Sequence, residues 1–517
     1  MKNINAVEDP WILVSSGEEI SEASIRNIFQ AESKISGLAE GYWKGIAPLR
    51  LLVAIAMSAL KPKNDDEIIG YLDNLPDFCE KIQKYLDQWK DSFWLFHKEK
   101  PFLQVAFLKT DYPFQDSNSK GFSRKATNEL VLSEGLKTAE LRSPSSKNPT
   151  ETLSGILRAL LYSQILGGNM KYGISRPGGP ELKPKGQVKA FQSIPSISLT
   201  TNGGSTSTLN IHPYDPYNLL ISIILNMLSQ ETTDLWSMGI GKPLWEYCIW
   251  NDHEQFLKNT PILESSFLGR IVPINKFIWI DPEAPNQMVY SDAEGINYLE
   301  PLLNLKLTGK RDQSYYLPSP KPRKGALAGK ATLGYLKENS FLWKEFATLD
   351  TSVDIPEVLK KFQILKKFKN KIIISATTLN CSGSRGLVYG EKIIVSSLSW
   401  NLNDLKDYLK GNLGILNSMV EKAEEVKLYN ATFKFNIELG LDPDSKTAKG
   451  NTNQVSSYYW SHLNSEFQYF LNKINEPETN NDWNLFIKKT AIDALHTLKD
   501  SDPRRNKAVV RAIKVLK

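Results

Sequence analysis

Beyond about Leu398 the apolar residues of this chain fall into step. Leu405, Leu409, Leu413, Leu416, Val420 and Ala423 recur at intervals of three and four residues, the spacing that gathers side chains on one face of a helix. Further helical patterns follow at about 452–473, 482–499 and 503–516. The last is opened by Asp502 and Pro503, a capping residue and a first-turn proline. Helices of this length joined by short connections pack as antiparallel neighbours, so the pattern predicts an all-α four-helix bundle over 399–517.

The preceding residues obey no single period. Trp11-Ile12-Leu13-Val14 is strand-like and ends at the turn Ser15-Ser16-Gly17. The stretch SEASIRNIFQAESKI predicts a helix capped by Ser21. From Pro48 to Ala56 the chain is apolar on every side except at Arg50, which predicts a buried helix. Residues 110–150 are rich in Ser, Lys and Asn and read as surface loops. A helix is predicted from about Pro149 to Ile165, capped by Thr150 and ended by Gly167, and another buried helix from Tyr217 to Leu228. Farther on, KFIWI, KIIIS and KIIVSS are strand-like runs between polar or Pro-rich loops. A chain of 517 residues is too long for one ordinary core. The fold class read here is α+β: a large mixed α/β N-terminal domain, 1–398, followed by the bundle.

Several chemistries find no support. Cys79, Cys248 and Cys381 are odd in number and form no CxxC pair, which argues against disulfides and zinc and for a reducing compartment. The opening MKNINAVEDPW lacks the apolar core of a signal peptide, and the greasy stretch from Leu219 to Leu228 is too short to span a bilayer. A cytoplasmic protein without a membrane partner is expected. His97, His212, His253, His462 and His496 stand singly, with no metal-ligand spacing around them, and read as structural or surface residues. No phosphate-binding GxxxxGK[ST] loop and no nucleophile elbow occurs. Nothing here predicts catalysis, a metal or a cofactor.

Basic clustering says more. Lys306, Lys310, Arg311, Lys321, Arg323, Lys324 and Lys330 face only Asp312 over residues 305–330, with Tyr315 and Tyr316 interleaved. Lysines neutralise phosphates and aromatic faces stack on bases, although a solvated loop has the same composition. The glycine-rich stretch GGNMKYGISRPGGPELKPKG carries Lys171, Arg176, Lys183 and Lys185, and its glycines let a backbone approach a phosphate closely or serve simple turns. Lys360, Lys361, Lys366, Lys367, Lys369 and Lys371 read as an exposed helix face. Arg504, Lys507, Arg511 and Lys514 share one face of the last predicted helix and suit a nucleic-acid backbone or solvent equally.

The order of these segments resembles the CasA family, the large subunit of the type I-E CRISPR Cascade complex. The WILV opening, SEASIRNIFQAESKISGLA, APLRLLVAIA, the aromatic segment FWLFHKEKPFLQV with Pro101-Phe102-Leu103-Gln104, the helix before GGNMKYGISRPGG, and LWKEF all look like that family's segments. The resemblance implies a non-catalytic subunit that binds a double-stranded DNA target beside a guide RNA and other Cascade subunits. It also implies reading of the target-flanking motif in the minor groove, duplex opening, and recruitment of a helicase-nuclease in antiviral defence. By the same resemblance, Gly167, Gly168, Asn169 and Lys171 form a DNA-contacting glycine loop, and Lys306 or Lys310 enters the minor groove. A wedge hairpin falls on Asn380, Gly383, Ser384 and Arg385, without the glutamine some relatives carry at its tip. Leu141, Arg142 and Ser143 lie where the family docks near the guide, though the aromatic expected there is missing. No cofactor is implied. Two other readings remain open from the residues: a nucleic-acid-processing enzyme with an unrecognised carboxylate site, and a purely structural scaffold.

Overall fold

The computed structural model describes residues 2–40, 45–106, 122–127, 152–166, 198–201, 204–207, 210–236, 239–247, 262–263, 266–274, 278–291, 341–347, 355–382, 389–410, 414–473, 476 and 478–516. The chain forms two compact units. One is built from Met1–Leu336 and Val353–Ser397, the other from Lys337–Ser352 and Leu398–Lys517.

In the first unit, β1 (Ile12–Ser16), β2 (Glu19–Ala23) and β3 (Gly37–Leu38) make a small antiparallel sheet in the order β2-β1-β3. Gly17, at φ +67°, supplies the left-handed residue of the β1–β2 turn. The predicted helix from Ser21 is therefore not there. Ser21 lies opposite Val14 in β2, and only Ile25–Ile28 is helical, capped by Ser24, whose Oγ accepts from the Asn27 amide at 3.0 Å. Pairing along a neighbouring strand outweighs a short helical spacing, because each paired residue gains backbone hydrogen bonds that an isolated turn lacks.

Next in the chain come α1 (Ile46–Leu60), α2 (Asp65–Asp73) and α3 (Leu75–Trp89). Helix α1 is buried from Ile46 through Ser58, Arg50 included, as its all-round apolar sequence predicts. The caps of α2 and α3 are Asn64 and Asn74, whose side chains accept from the Glu67 and Asp77 amides. Residues 110–150, read as loops, contain a strand, β4 (Phe122–Ala126). It pairs with β9 (Gln287–Ser291), which also pairs with β8 (Ile278–Ile280). The sequence of β4 is polar, so its pairing partner, more than 160 residues away, decides its conformation.

Helix α4 (Leu153–Leu166) starts slightly later than predicted, with Thr152 rather than Thr150 bonding its first turn: Thr152 Oγ1 accepts from the Gly155 amide at 3.0 Å. Strands β5 (Ser198–Thr201) and β6 (Gly204–Ser207) pair with each other. Strand β7 (Asn210–Tyr214) leads into α5 (Leu219–Asn226), the predicted buried helix, capped by Asn218. The long strands β10 (Ile372–Ser382) and β11 (Tyr389–Trp400) complete a sheet of order β11-β10-β7, with Ser375 opposite His212.

The second unit is helical: α6 (Leu342–Ala347), α7 (Leu402–Leu409), α8 (Gly414–Glu425), α9 (Leu428–Glu438), α10 (Lys446–Asn472), α11 (Thr479–His496) and α12 (Pro503–Ile513). The continuous seam read over 405–423 is carried by two helices among the described residues, one ending at Leu409 and the next beginning at Gly414. Helix α9 went unforeseen because Tyr429 and Phe433 on its outer side blur the apolar period that Leu428, Ala431 and Phe435 bury. Asp502 caps α12 as predicted, accepting from the Arg504 amide at 2.8 Å. A mixed helix-and-strand chain ending in a helical region agrees with the predicted fold class. Among the described residues no helix is long and apolar enough to cross a membrane.

Candidate nucleic-acid interface

Most of the residues assigned to nucleic acid by resemblance lie outside the described residues: Gly167, Gly168, Asn169, Lys171, Lys306, Lys310, Gly383, Ser384, Arg385, Leu141, Arg142 and Ser143. Asn380 lies in β10. What the described residues show is the scaffold that leads into these segments.

Helix α4 ends at Leu166, immediately before Gly167, and is fastened at several points. Arg158 donates to the Trp11 carbonyl at 2.6 Å and pairs with Glu22 of β2. Gln164, fully buried, donates to the Leu103 carbonyl at 3.1 Å. That carbonyl belongs to the Pro101-Phe102-Leu103-Gln104 motif, which is a structural clip. Gln104 Nε2 donates to the Leu95 carbonyl at 2.7 Å, while its Oε1 accepts from the Ile280 amide of β8 at 2.8 Å. Leu103 adopts φ +58°, a left-handed conformation that costs a non-glycine residue energy and persists where the surroundings fix it. The Phe102 ring sits against Phe93 and Trp245, with centroids 4.8 and 6.4 Å away.

A buried polar network lies between α5, β7 and the segment before β10. His212 Nδ1 is 3.0 Å from Asn226 Oδ1. Asn226 spends its amide hydrogens on the Pro213 and Ser222 carbonyls, at 2.6 and 2.8 Å, so its oxygen accepts and His212 donates from Nδ1. Burial, reinforced by the nearby Arg50 charge and opposed by the Asn226 hydrogen bond, pushes His212 down to about 3, leaving it neutral. Lys361 is also buried and donates from Nζ to the Leu225 carbonyl at 2.9 Å and to the Met227 carbonyl. Burial pushes it down to about 8, with the Asp65 charge pulling the other way. These groups are engaged in holding the fold, and among the described residues no cluster of His, Cys, Asp and Glu is arranged to hold a metal.

The third basic run of the sequence is not one helix face. Helix turns end at Gln363, and residues 364–371 continue without regular structure into β10. Lys361 points inward and Lys360 pairs with Glu357 at 2.6 Å. Lys366, Lys367 and Lys369 are exposed. The run of Lys360 through Lys371 contains six lysines and no acid, and buried Phe362 and Leu365 together with the Lys361 hydrogen bonds fix its position. The last basic face is likewise split: Arg504 pairs with Asp502 and Arg511 with Glu438.

By fold and surface, then, the chain is a two-unit α+β protein whose first unit carries an exposed lysine segment, Lys366, Lys367 and Lys369, among its described sheets and helices, and whose second unit is helical. A family model described as CRISPR-associated protein Cse1 matches residues 5–494, and the chain belongs to that family. It is 28% identical over 222 residues to CRISPR-associated protein CasA/Cse1 of Thermus thermophilus, a match spanning 42% of this chain and 41% of that relative. The crystal structure of Thermus thermophilus CasA superposes with a TM-score of 0.70 at 18% identity, covering 100% of this chain and 98% of that one. A chain of a CRISPR RNA-guided surveillance complex superposes at 0.62 with 14% identity, covering 99% of each.

Proposed function

We propose that this chain is the large, non-catalytic subunit of a guide-RNA surveillance complex of the type I-E Cascade kind. It binds duplex DNA, reads the motif flanking the target, helps open the duplex for pairing with the guide RNA, and supports recruitment of a helicase-nuclease. The observation that carries this reading is the family match along residues 5–494, supported by similarity to a chain of a surveillance complex over nearly the whole length. In this reading Gly167, Gly168, Asn169 and Lys171 approach the DNA backbone, and Lys306 or Lys310 enters the minor groove. Asn380, Gly383, Ser384 and Arg385 form the wedge, and Leu141, Arg142 and Ser143 lie near the guide. Minor-groove edges are degenerate, so several flanking motifs are tolerated. The remaining subunits of the complex are its protein partners, and its place is the cytoplasm.

The test is duplex binding by a reconstituted complex with and without this chain, on targets with varied flanks. Loss of flank-dependent binding on omission is expected. Equal binding with and without the chain refutes the reading and leaves a scaffold or, if the purified chain cleaves nucleic acid, an enzyme. Within the complex, Gly168→Leu is expected to weaken flank-dependent binding without lowering the melting temperature. Normal binding makes that loop merely structural.

A further inference from the structure

Strand β2 (Glu19–Ala23) forms an open edge. Its sheet runs β2-β1-β3, so β1 is the one neighbour of β2 among the described residues. The backbone groups along its other side meet no described partner, and such a row is a template for one more strand. Glu19, Ile20, Ser21 and Glu22 are all exposed, which opens both faces of the strand as well as its edge. Ile20, a residue type that favours strands, is 64% exposed. The edge is held in place from behind. Every residue of β2 is in register with β1, from Ser16 opposite Glu19 to Ile12 opposite Ala23. Glu22 is also tied to α4, through its ion pair with Arg158 and through Ser154, whose Oγ donates to it at 3.3 Å. An edge already fixed loses little freedom when a strand joins it.

Charge selects what joins. From Ser15 to Ile25 the chain carries Glu18, Glu19 and Glu22 and no lysine or arginine, although its net charge is +6. Glu18 and Glu19 form no ion pair among the described residues. Edges are commonly closed by lysine, proline or a bulge, and β2 has none of these. Opposite charges across a strand pair stabilise it and like charges destabilise it. Pairing β2 with β2 of a second copy therefore brings two sets of glutamates together, whereas a basic strand relieves the repulsion already present. Side chains alternate between faces along a strand, so Ile20 and Glu22 share one face and Glu19 and Ser21 the other. A matching segment carries cations on both faces and an apolar residue opposite Ile20.

We propose that β2 is a docking edge for an extended basic segment of a partner protein, which adds beside β2 and sets lysine or arginine against Glu18 and Glu19. Main-chain hydrogen bonds give such a contact its affinity, and the side chains give it selectivity. This stands independently of the functional reading above.

The test uses the full chain and a synthetic peptide of about seven residues, alternating lysine with valine, long enough to span β2. One control peptide has glutamate in place of lysine. Another keeps the lysines and has proline at its centre, which interrupts strand pairing. Fluorescence anisotropy measures binding, and backbone hydrogen exchange locates it. The lysine peptide is expected to bind at least about tenfold more tightly than either control and to slow exchange in residues 19–23. Glu18→Lys combined with Glu19→Lys is expected to weaken the lysine peptide about tenfold and to favour the glutamate peptide, with the melting temperature unchanged because both side chains are exposed. Equal binding of the proline peptide reduces the contact to charge attraction and overturns the proposal. Protection away from β2, binding that survives the double substitution, or no binding at about millimolar peptide overturns it as well. Dimerisation of the chain in sedimentation, abolished by Ile20→Lys, assigns the edge to a second copy instead.

Discussion

At the residue scale, the described residues of the first unit use polar side chains as internal fasteners. Gln104 joins the Leu95 and Phe102 carbonyls to the Ile280 amide of β8, far away in sequence. Replacing it by leucine removes all three bonds and strands buried backbone groups, at a cost of about 2–3 kcal/mol. Chemical denaturation is expected to show that loss, while flank-dependent DNA binding by the folded variant stays normal. His212 gives the fold an acid sensitivity. Its folded pKa, pushed to about 3, lies below the ordinary value of 6.5. Between these values the unfolded chain takes up a proton that the folded chain refuses. The stability from keeping His212 neutral is therefore complete above pH 6.5 and is lost as the pH falls toward 3, at about 1.4 kcal/mol per unit. Melting temperatures measured from pH 7 down to pH 4 are expected to fall, and His212→Gln is expected to flatten that part of the profile. A profile unchanged by the substitution excludes His212 as its source. Lys361 acts in the alkaline range: pushed down to about 8 from 10.5, it makes the folded form relatively more stable as the pH rises between those values.

At the scale of elements, apolar periods and the cap of α12 were legible, whereas the caps read at Ser21 and Thr150 and the strand partners were not. Asp502 before Pro503 announced α12, and the Asp502 carboxylate does bond the Arg504 amide. Asp502→Ala is expected to cost about 1 kcal/mol, read as a small drop in the melting temperature of the helical unit. Helix α6 has the opposite character. Its six residues carry no helix signature of their own, yet Trp343 is fully buried in the second unit. It stacks on Phe467 of α10 at 4.3 Å, meets Trp483 of α11 edge-on at 6.4 Å, and donates from Nε1 to Asn464 at 3.2 Å. Lys344 covers the Trp460 ring at 3.6 Å while pairing with Glu424 at 3.1 Å. Trp343→Ala is expected to destabilise this unit by about 3–5 kcal/mol, because the aromatic cavity it leaves cannot close fully. A change below about 1 kcal/mol in denaturant unfolding contradicts that packing.

At the scale of the whole molecule, the second unit is discontinuous in sequence, taking in Lys337–Ser352 as well as Leu398–Lys517. The fragment 398–517 expressed alone lacks Trp343 and Phe346, the latter stacked on Tyr408 at 5.1 Å. It is expected to melt below the full chain's helical unit or to aggregate, and adding residues 337–352 through a flexible linker is expected to recover part of the loss. Circular dichroism of the two fragments decides the matter. The residues assigned to DNA and guide RNA came from resemblance rather than from any local pattern. Glycine- and lysine-rich stretches have no period to read. The lysines of 360–371 were visible as a cluster, but not which of them face solvent, since a lysine's direction depends on the carbonyls and apolar neighbours packed around it.

By itself, the sequence determined what short-range physics decides: the buried helices α1 and α5, the strand-forming runs of β1, β10 and β11, the cap of α12, and a helical C-terminal region. Period and capping act within a turn or two of chain, so they are readable without partners wherever no strand pairing overrides them, as it does at Ser21. Tertiary structure alone decided that the run after Ser21 would pair as a strand, that polar β4 would find β9, that Lys361 would turn inward, and that Trp343 would join helices more than a hundred residues away. Each of those outcomes depends on a hydrogen-bond or packing partner distant in the chain, and pairwise energies between distant segments leave no local period in either.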